Sequence, residues 1–345
     1  MLARPVRLLA ALVAATAVLA ACSASQNGTG APSAPAAPTT TARSTAAPPS
    51  APTSDPTSSA AAPSTHASPP ASPVHVSLFQ GDGQTLGVGF AIIAQFDVAP
   101  TDSHAFTHAV TVTVNGRPAG GAWFWQRSGR PGVPIEALYR PRHFWPAHAR
   151  IHVNLPLKGL SAGRGLAYDD SLTLSVRTAA RHVSTVDNAT HMMTVRSDGK
   201  VVHRMPVSLG EGDHPTYRGV KVVMQKGEDV PGTNRKRPQG AVRMVSNAPG
   251  DQYDLLVPWS VRVTNSGEYI HSASWNTGNI GSRNTSHGCT NLDVGAAEWF
   301  YKFSHVGDIV RYPNASGPKM PSWDGWGWWN LPWSVWSQGG LLITH

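Results

Sequence analysis

The chain has 345 residues, with 28 lysines and arginines against 20 aspartates and glutamates and a formal net charge of +8. That length holds two domains once a leader and a linker are set aside. Basic character points to an anionic partner, but no recognition helix or base-stacking motif accompanies the charge, so nucleic acid is excluded as a partner.

The N-terminal residues set the compartment. Arg4 and Arg7 precede an apolar run, Leu8 to Ala21, that is short for a bilayer span and closes on Leu19-Ala20-Ala21-Cys22. A positive start, an apolar middle and small residues at the end predict a secretory signal over residues 1–21. A cysteine directly after the small residues resembles the lipobox of bacterial lipoproteins. That resemblance implies a lipid on Cys22 and attachment to the outer face of the cell membrane; an ordinary signal peptide with a chance cysteine is the plainer alternative. No later run reaches about 18 apolar residues, so membrane attachment is expected through the lipid alone. For such an exported chain the anionic partners are wall polymers and lipid headgroups. Residues 22–73 are Ala, Pro, Ser and Thr with almost no large apolar side chain. They cannot bury enough surface to offset the entropy of ordering, and read as a disordered, fairly extended tether.

Residues 74–181 read as short strands. Val110 to Val114 alternates and runs into Asn115-Gly116, a tight-turn pair. Ile151 to Leu155 and Leu172 to Val176 alternate as well. Strands at this spacing, with no helical pattern between them, predict a β-sandwich. It carries no catalytic constellation and reads as a spacer or wall-binding module. Residues 182–312 are again mostly β. Met193 to Val195 and Val201 to His203 flank the turn Ser197-Asp198-Gly199-Lys200. Val220 to Met224, Tyr253 to Val257 and Val261 to Val263 are further strands. One helix is expected: Asp293 can cap it, Ala296, Ala297, Trp299, Phe300 and Phe303 form its apolar face, and it ends before Gly307. Residues 313–345 carry Trp323, Trp326, Trp328, Trp329, Trp333 and Trp336. Indoles bury large apolar area, so this tail is expected to pack back onto the 182–312 domain; stacking on carbohydrate is the alternative. The fold class is mainly β.

The chemistry concentrates around one thiol. The chain has two cysteines, Cys22 and Cys289. With Cys22 lipidated, Cys289 is a lone exported thiol, either buried and inert or used chemically. A cysteine nucleophile needs a base or positive neighbour. In Ser286-His287-Gly288-Cys289-Thr290-Asn291, His287 stands two residues before the thiol and, on a strand, shares its face. His271 lies 18 residues earlier, in Tyr269-Ile270-His271-Ser272. The interval holds a strand end and a turn-rich loop, Asn276-Thr277-Gly278-Asn279, enough to return His271 beside Cys289. Gly288 lets a backbone amide approach a developing oxyanion without a Cβ in the way. Two other readings stay open: His271, His287 and Cys289 as three ligands of an open zinc site, although no fourth ligand is apparent nearby, and a buried structural cysteine, which the polar neighbours argue against.

These residues resemble the signature of the YkuD-type L,D-transpeptidase catalytic domain, over about Ser184 to Tyr312. The leader, the sandwich and the tail Trp328-Trp329-Asn330-Leu331-Pro332-Trp333 resemble the actinobacterial, mycobacterial-type members, which are lipoproteins with immunoglobulin-like domains ahead of the catalytic domain. The resemblance implies an immunoglobulin-like sandwich followed by a β-rich catalytic domain. It implies Cys289 as nucleophile and His271 as general base, with the Ser272 carbonyl holding the other ring nitrogen. The Gly288 and Cys289 amides would form an oxyanion hole, with Tyr253 as a further donor. Ser286, His287 and Asn291 would shape the site and contact substrate. Tyr253 matches the tyrosine of the family's lid, Met224 a pocket-lining methionine and Trp275 a pocket-flanking tryptophan. Ser274 replaces a proline of close relatives, Leu292-Asp293 replaces a Ser-Pro helix start, and Gln225 to Val245 has no clear alignment.

The implied activity is formation of 3-3 cross-links between peptidoglycan stem peptides through a thioester on Cys289, releasing D-alanine from a donor tetrapeptide. No metal or organic cofactor is implied, and carbapenem-type β-lactams are the implied covalent inhibitors. The same site would serve an L,D-carboxypeptidase or a protein-to-peptidoglycan ligase. A papain-like wall endopeptidase places its cysteine before its histidine, whereas His271 precedes Cys289, although His305 follows. A sortase needs an arginine after its cysteine; Arg311 is available, but the interval from His271 to Cys289 is too short for that family. A non-enzymatic wall-binding lipoprotein is the remaining class.

Overall fold

In a computed structural model of the chain, the structure describes residues 71–228, 239–248 and 251–342. The expected signal segment, the lipidation of Cys22 and the linker up to residue 70 lie outside them.

Residues 72–178 form the expected sandwich. One antiparallel sheet orders the strands Val76–Leu78, Ile92–Phe96, Ile135–Pro141 and Gly121–Arg127. The other orders Thr85–Leu86, Leu172–Thr178, Arg150–Leu155, Thr111–Val114 and Arg117–Pro118. Period-2 alternation drives the packing: in Leu172–Thr178 the side chains of Leu174, Val176 and Thr178 are buried and those between them face solvent. Asn115 and Gly116 take φ of 50° and 79°, the left-handed pair of a tight hairpin. The sequence pattern missed a short helix, His104–Ala109. Only Phe106 of it is buried, inserted between Phe96, Trp123 and Trp125; a single anchoring residue gives no helical period to detect.

Residues 182–312 build a five-stranded sheet in the order Lys200–Pro206, Met192–Ser197, His182–Asp187, Ile309–Tyr312, Gly219–Val222. A second sheet orders Gln225–Lys226, Val261–Arg262, Tyr269–Ser272 and Thr290–Leu292. The helix Val294–Phe303 packs against the strand Tyr269–Ser272, and the side chain of its cap Asp293 accepts the Ala296 N–H at 2.9 Å. Its buried Ala297 and Phe300 join Ile270 and Leu292 in one core. The strands Val242–Ala248 and Asp251–Val257 form a separate antiparallel hairpin. Among the described residues no helix is long and apolar enough to cross a membrane.

The tail packs on the 182–312 domain and on the sandwich as well. Its buried indoles, Trp326, Trp328 and Trp336, lie in a core made largely of sandwich residues that also takes in Val222 and Ile309 of the 182–312 domain. Trp336 stacks on Phe124 at 4.8 Å, and Trp329 meets Phe144 edge-on at 4.5 Å. The guanidinium of the buried Arg140 lies 4.5 Å from the rings of both Trp329 and Trp336 and donates to the Leu331 carbonyl. The polar residues of the tail face the other way: Asn330 exchanges two hydrogen bonds with the backbone of Val220, and Asp324 accepts from the N–H and O–H of Ser266. The sandwich offers aromatic faces and a cation, whereas the edge strand Gly219–Val222 offers unpaired backbone, so the tail joins the two domains.

Candidate active site

Strand pairing brings His271 and Cys289 to one place. Tyr269–Ser272 and Thr290–Leu292 run parallel, with Ile270 opposite Thr290 and His271 opposite Asn291. Cys289, one residue before the second strand, is therefore level with Tyr269, whose amide N–H lies 3.4 Å from its sulfur. Tyr269 and His271 are two residues apart and share a face of their strand. Cys289 and His271 both line a cavity of about 320 Å³, together with Tyr253, Trp275, Ser286, His287 and Asn291.

The histidine is set up as a proton acceptor. Its Nδ1 lies 2.9 Å from the Ser272 carbonyl oxygen, so Nδ1 carries the hydrogen and Nε2 keeps its lone pair. His271 is 4% exposed. That burial pushes its pKa down to about 4, against the opposing pull of the Ser272 carbonyl. The imidazole is thus neutral at neutral pH.

The Cys289 segment is held by its own polar residues. The Ser286 hydroxyl donates to the Cys289 carbonyl at 2.6 Å, and the Thr216 hydroxyl donates to the Gly288 carbonyl at 2.9 Å. Gly288 has φ +104°, a conformation that a side chain would strain. Ser286 is buried and serves this turn as much as it lines the cavity. Asn291 lines the cavity and is 3% exposed, and its buried Oδ1 has no hydrogen-bond partner among the described residues. Trp275 is 58% exposed and stacks over His271 at 6.0 Å. Tyr253, on the hairpin strand Asp251–Val257, lies 5.6 Å from the His287 ring.

One expectation needs correcting, and one alternative reading falls away. Met224 does not reach this cavity. It lines a different one, beside Trp326 and Gly325, where a Cβ on Gly325 would stand 2.5 Å from its sulfur. The methionine in the Cys289 cavity is Met244, on the hairpin strand Val242–Ala248; it falls inside the stretch that has no clear alignment. Nor does His287 join His271 and Cys289 as a ligand trio, because its Nε2 turns to Asp251 at 2.9 Å. Sequence reasoning also passed over a buried pair behind the thiol, Lys221 and Glu268. The Lys221 ammonium contacts Glu268 Oε2, and Oε1 accepts the Tyr217 N–H at 2.7 Å. Burial pushes Glu268 up and Lys221 down, and the contact between them opposes both shifts. A lysine amid valines in Val220-Lys221-Val222-Val223 was the available signal.

The depressed His271 pKa sets a stability window. An unfolded histidine takes up its proton near pH 6.5, whereas the folded one waits until about pH 4. Stability is therefore intact above about pH 6.5 and falls as the pH drops toward 4. Urea unfolding at pH 7 and pH 5 is expected to show wild type losing about 2 kcal/mol more than His271→Asn on acidification. Equal losses would contradict the buried neutral imidazole.

Comparison with known proteins agrees with this geometry. A family model for the L,D-transpeptidase catalytic domain matches residues 181–311, and one for a bacterial Ig domain matches residues 36–161. L,D-transpeptidase 2 of Mycobacterium tuberculosis is 32% identical over 78% of this chain and 64% of the relative, so the chain spans less than two thirds of that protein. Probable L,D-transpeptidase 3 of Mycobacterium tuberculosis is 30% identical over 66% of this chain and 82% of the relative. The solved structure of the LD transpeptidase LdtMt1 in complex with imipenem matches at a TM-score of 0.55 and 26% identity, covering 68% of this chain and 97% of that one. With the catalytic-domain match and a relative at 30% identity covered over 82% of its length, the chain belongs to the L,D-transpeptidase family.

Proposed function

We propose that the protein is an L,D-transpeptidase that forms 3-3 cross-links between peptidoglycan stems through Cys289. The observation that carries this reading is the shared cavity, in which the thiol stands with an imidazole whose Nδ1 is fixed and whose Nε2 accepts protons. His271 takes the thiol proton as Cys289 Sγ attacks the carbonyl joining the L-centre of diaminopimelate to terminal D-alanine in a donor tetrapeptide. The Gly288 and Cys289 amides, with Tyr253, hold the tetrahedral oxyanion. His271 returns its proton to the leaving amine, D-alanine departs and a thioester remains. The side-chain amine of a second stem attacks that thioester; His271 accepts the amine proton and passes it to the departing thiolate. Asn291 and His287 shape the wall against which the stem peptide lies, and Trp275 and Met244 provide apolar walls.

The imipenem complex of the related transpeptidase supports covalent acylation of Cys289 by carbapenems here. The Leu19-Ala20-Ala21-Cys22 pattern supports export and a lipid on Cys22 that tethers the enzyme to the outer face of the membrane.

Incubation with a tetrapeptide stem, with and without an amine acceptor, separates the uses of this site. Mass analysis is expected to show D-alanine release and a dimer with acceptor present, and loss of both in Cys289→Ala. Cross-linking by that variant would contradict the assignment, and a hydrolysed tripeptide as the only product would indicate a carboxypeptidase. The two methionines offer a second check. Met244→Ala is expected to raise KM for the donor without lowering stability, whereas Met224→Ala is expected to cost roughly 1–2 kcal/mol of stability and leave KM unchanged. The reverse pattern would restore Met224 to the substrate pocket.

A further inference from the structure

His214 takes no part in the reaction proposed above, yet the fold carries it beside His287 and Asp251, which line the Cys289 cavity. Its loop is bolted to the Cys289 segment: the Gly210 N–H donates to Thr216 Oγ1 at 2.8 Å, and the Thr216 hydroxyl donates to the Gly288 carbonyl. Gly210 permits the close approach, since a Cβ there would lie 2.1 Å from the His214 carbonyl oxygen and 2.9 Å from the Gly288 Cα. The backbones of His214 and His287 are thus fixed relative to one another. Their rings stand 4.9 Å apart, centroid to centroid. The hairpin strand Asp251–Val257 then brings a carboxylate to both: Asp251 Oδ1 lies 2.9 Å from His287 Nε2, and Oδ2 lies 3.9 Å from His214 Nε2. One donor atom from each of the three residues lies within 4.8 Å of the others.

We propose that His214, Asp251 and His287 bind a divalent transition-metal ion of the Zn²⁺ class, which ties the hairpin to the Cys289 segment and obstructs the cavity. Two imidazole nitrogens and a carboxylate oxygen are the donor set of zinc sites that keep a fourth position open. Bonds of about 2.0–2.2 Å at tetrahedral angles place neighbouring donors roughly 3.3 Å apart. The observed 2.9 and 3.9 Å separations fall on either side of that spacing. The three side chains, at 38%, 32% and 38% exposure, have room to adjust. Nitrogen donors select against Mg²⁺ and Ca²⁺, which take oxygen. Because Asp251 and His287 also line the Cys289 cavity, the ion and its fourth ligand stand where a stem peptide would enter. The obstruction rests on Cys289 being the nucleophile of the proposed reaction; the metal binding does not.

Two measurements separate these claims. In isothermal titration of the full chain with Zn²⁺, all proteins carry Cys289→Ala so that the thiol cannot contribute. One Zn²⁺ site is expected in that background and its loss on adding His214→Ala, with an unchanged metal-free melting temperature and no binding of Mg²⁺. Equal stoichiometry and affinity in the two proteins would overturn the site. Alkylation of wild-type Cys289 by iodoacetamide, followed by intact mass, is expected to slow at saturating Zn²⁺, and the slowing to disappear in His214→Ala. Protection that persists in His214→Ala would place the ion on the thiol itself and overturn the obstruction, even with turnover of stem peptides intact.

Discussion

The parallel pairing of Tyr269–Ser272 with Thr290–Leu292 is the constraint on which the site depends. Parallel neighbours cannot be joined by a tight turn and need a long crossover. Here the crossover is residues 273–289, and it delivers Cys289 at its end. The crossover is not left to find its own path. Thr285 and Ser286 donate their amides to the Leu209 carbonyl, and Gly281 donates to Val207, so the segment is sewn along 207–211 before it reaches the thiol. One register therefore fixes three things together: Cys289 level with Tyr269, His271 on the same face, and Asn291 beside His271 in the cavity wall.

Burial does the electrostatic work around that register. A histidine in water is half protonated near pH 6.5; sealed under Trp275 and fixed by the Ser272 carbonyl, His271 stays a neutral base with a defined tautomer. The Lys221–Glu268 pair sits behind the thiol segment, with the Lys221 ammonium 3.9 Å from the Tyr312 ring and Glu268 holding the Tyr217 amide. A pair with so many partners is costly to break on one side, because the remaining charge would be stranded away from water. It ties the strand Gly219–Val222 of the larger sheet to the residue just before Tyr269–Ser272 in the smaller one, and so braces the two sheets where the thiol stands. The tail braces the same strand from the other side through Asn330.

What could be read from the sequence followed from short-range rules. Asn115-Gly116 and Asp198-Gly199 announced hairpins because their left-handed conformations are cheap for those residues, and both pairs have positive φ. Asp293 announced the helix by its capping oxygen. The Ser286-His287-Gly288-Cys289 run and His271 were legible because the thiol needs a base within one turn-rich crossover. What failed depended on packing between distant segments. Met224 lies just before, and Met244 inside, the stretch that has no clear alignment, and only the hairpin pairing brings Met244 to the cavity. The indoles of the tail could have covered either domain and reach both; that Phe124, Phe144 and the buried Arg140 of the sandwich receive Trp329 and Trp336 had no local signal. His214 carries no local signal, since its meaning comes from Asp251 and His287, which lie in other segments of the chain.

The most direct test of the His271–Cys289 unit is intact mass during reaction with a carbapenem, followed in time for wild type, His271→Ala and Cys289→Ala. A single adduct is expected on wild type, the same adduct forming about 10²–10⁴-fold more slowly on His271→Ala, and none on Cys289→Ala. An adduct on Cys289→Ala, or an undiminished rate on His271→Ala, would contradict the account.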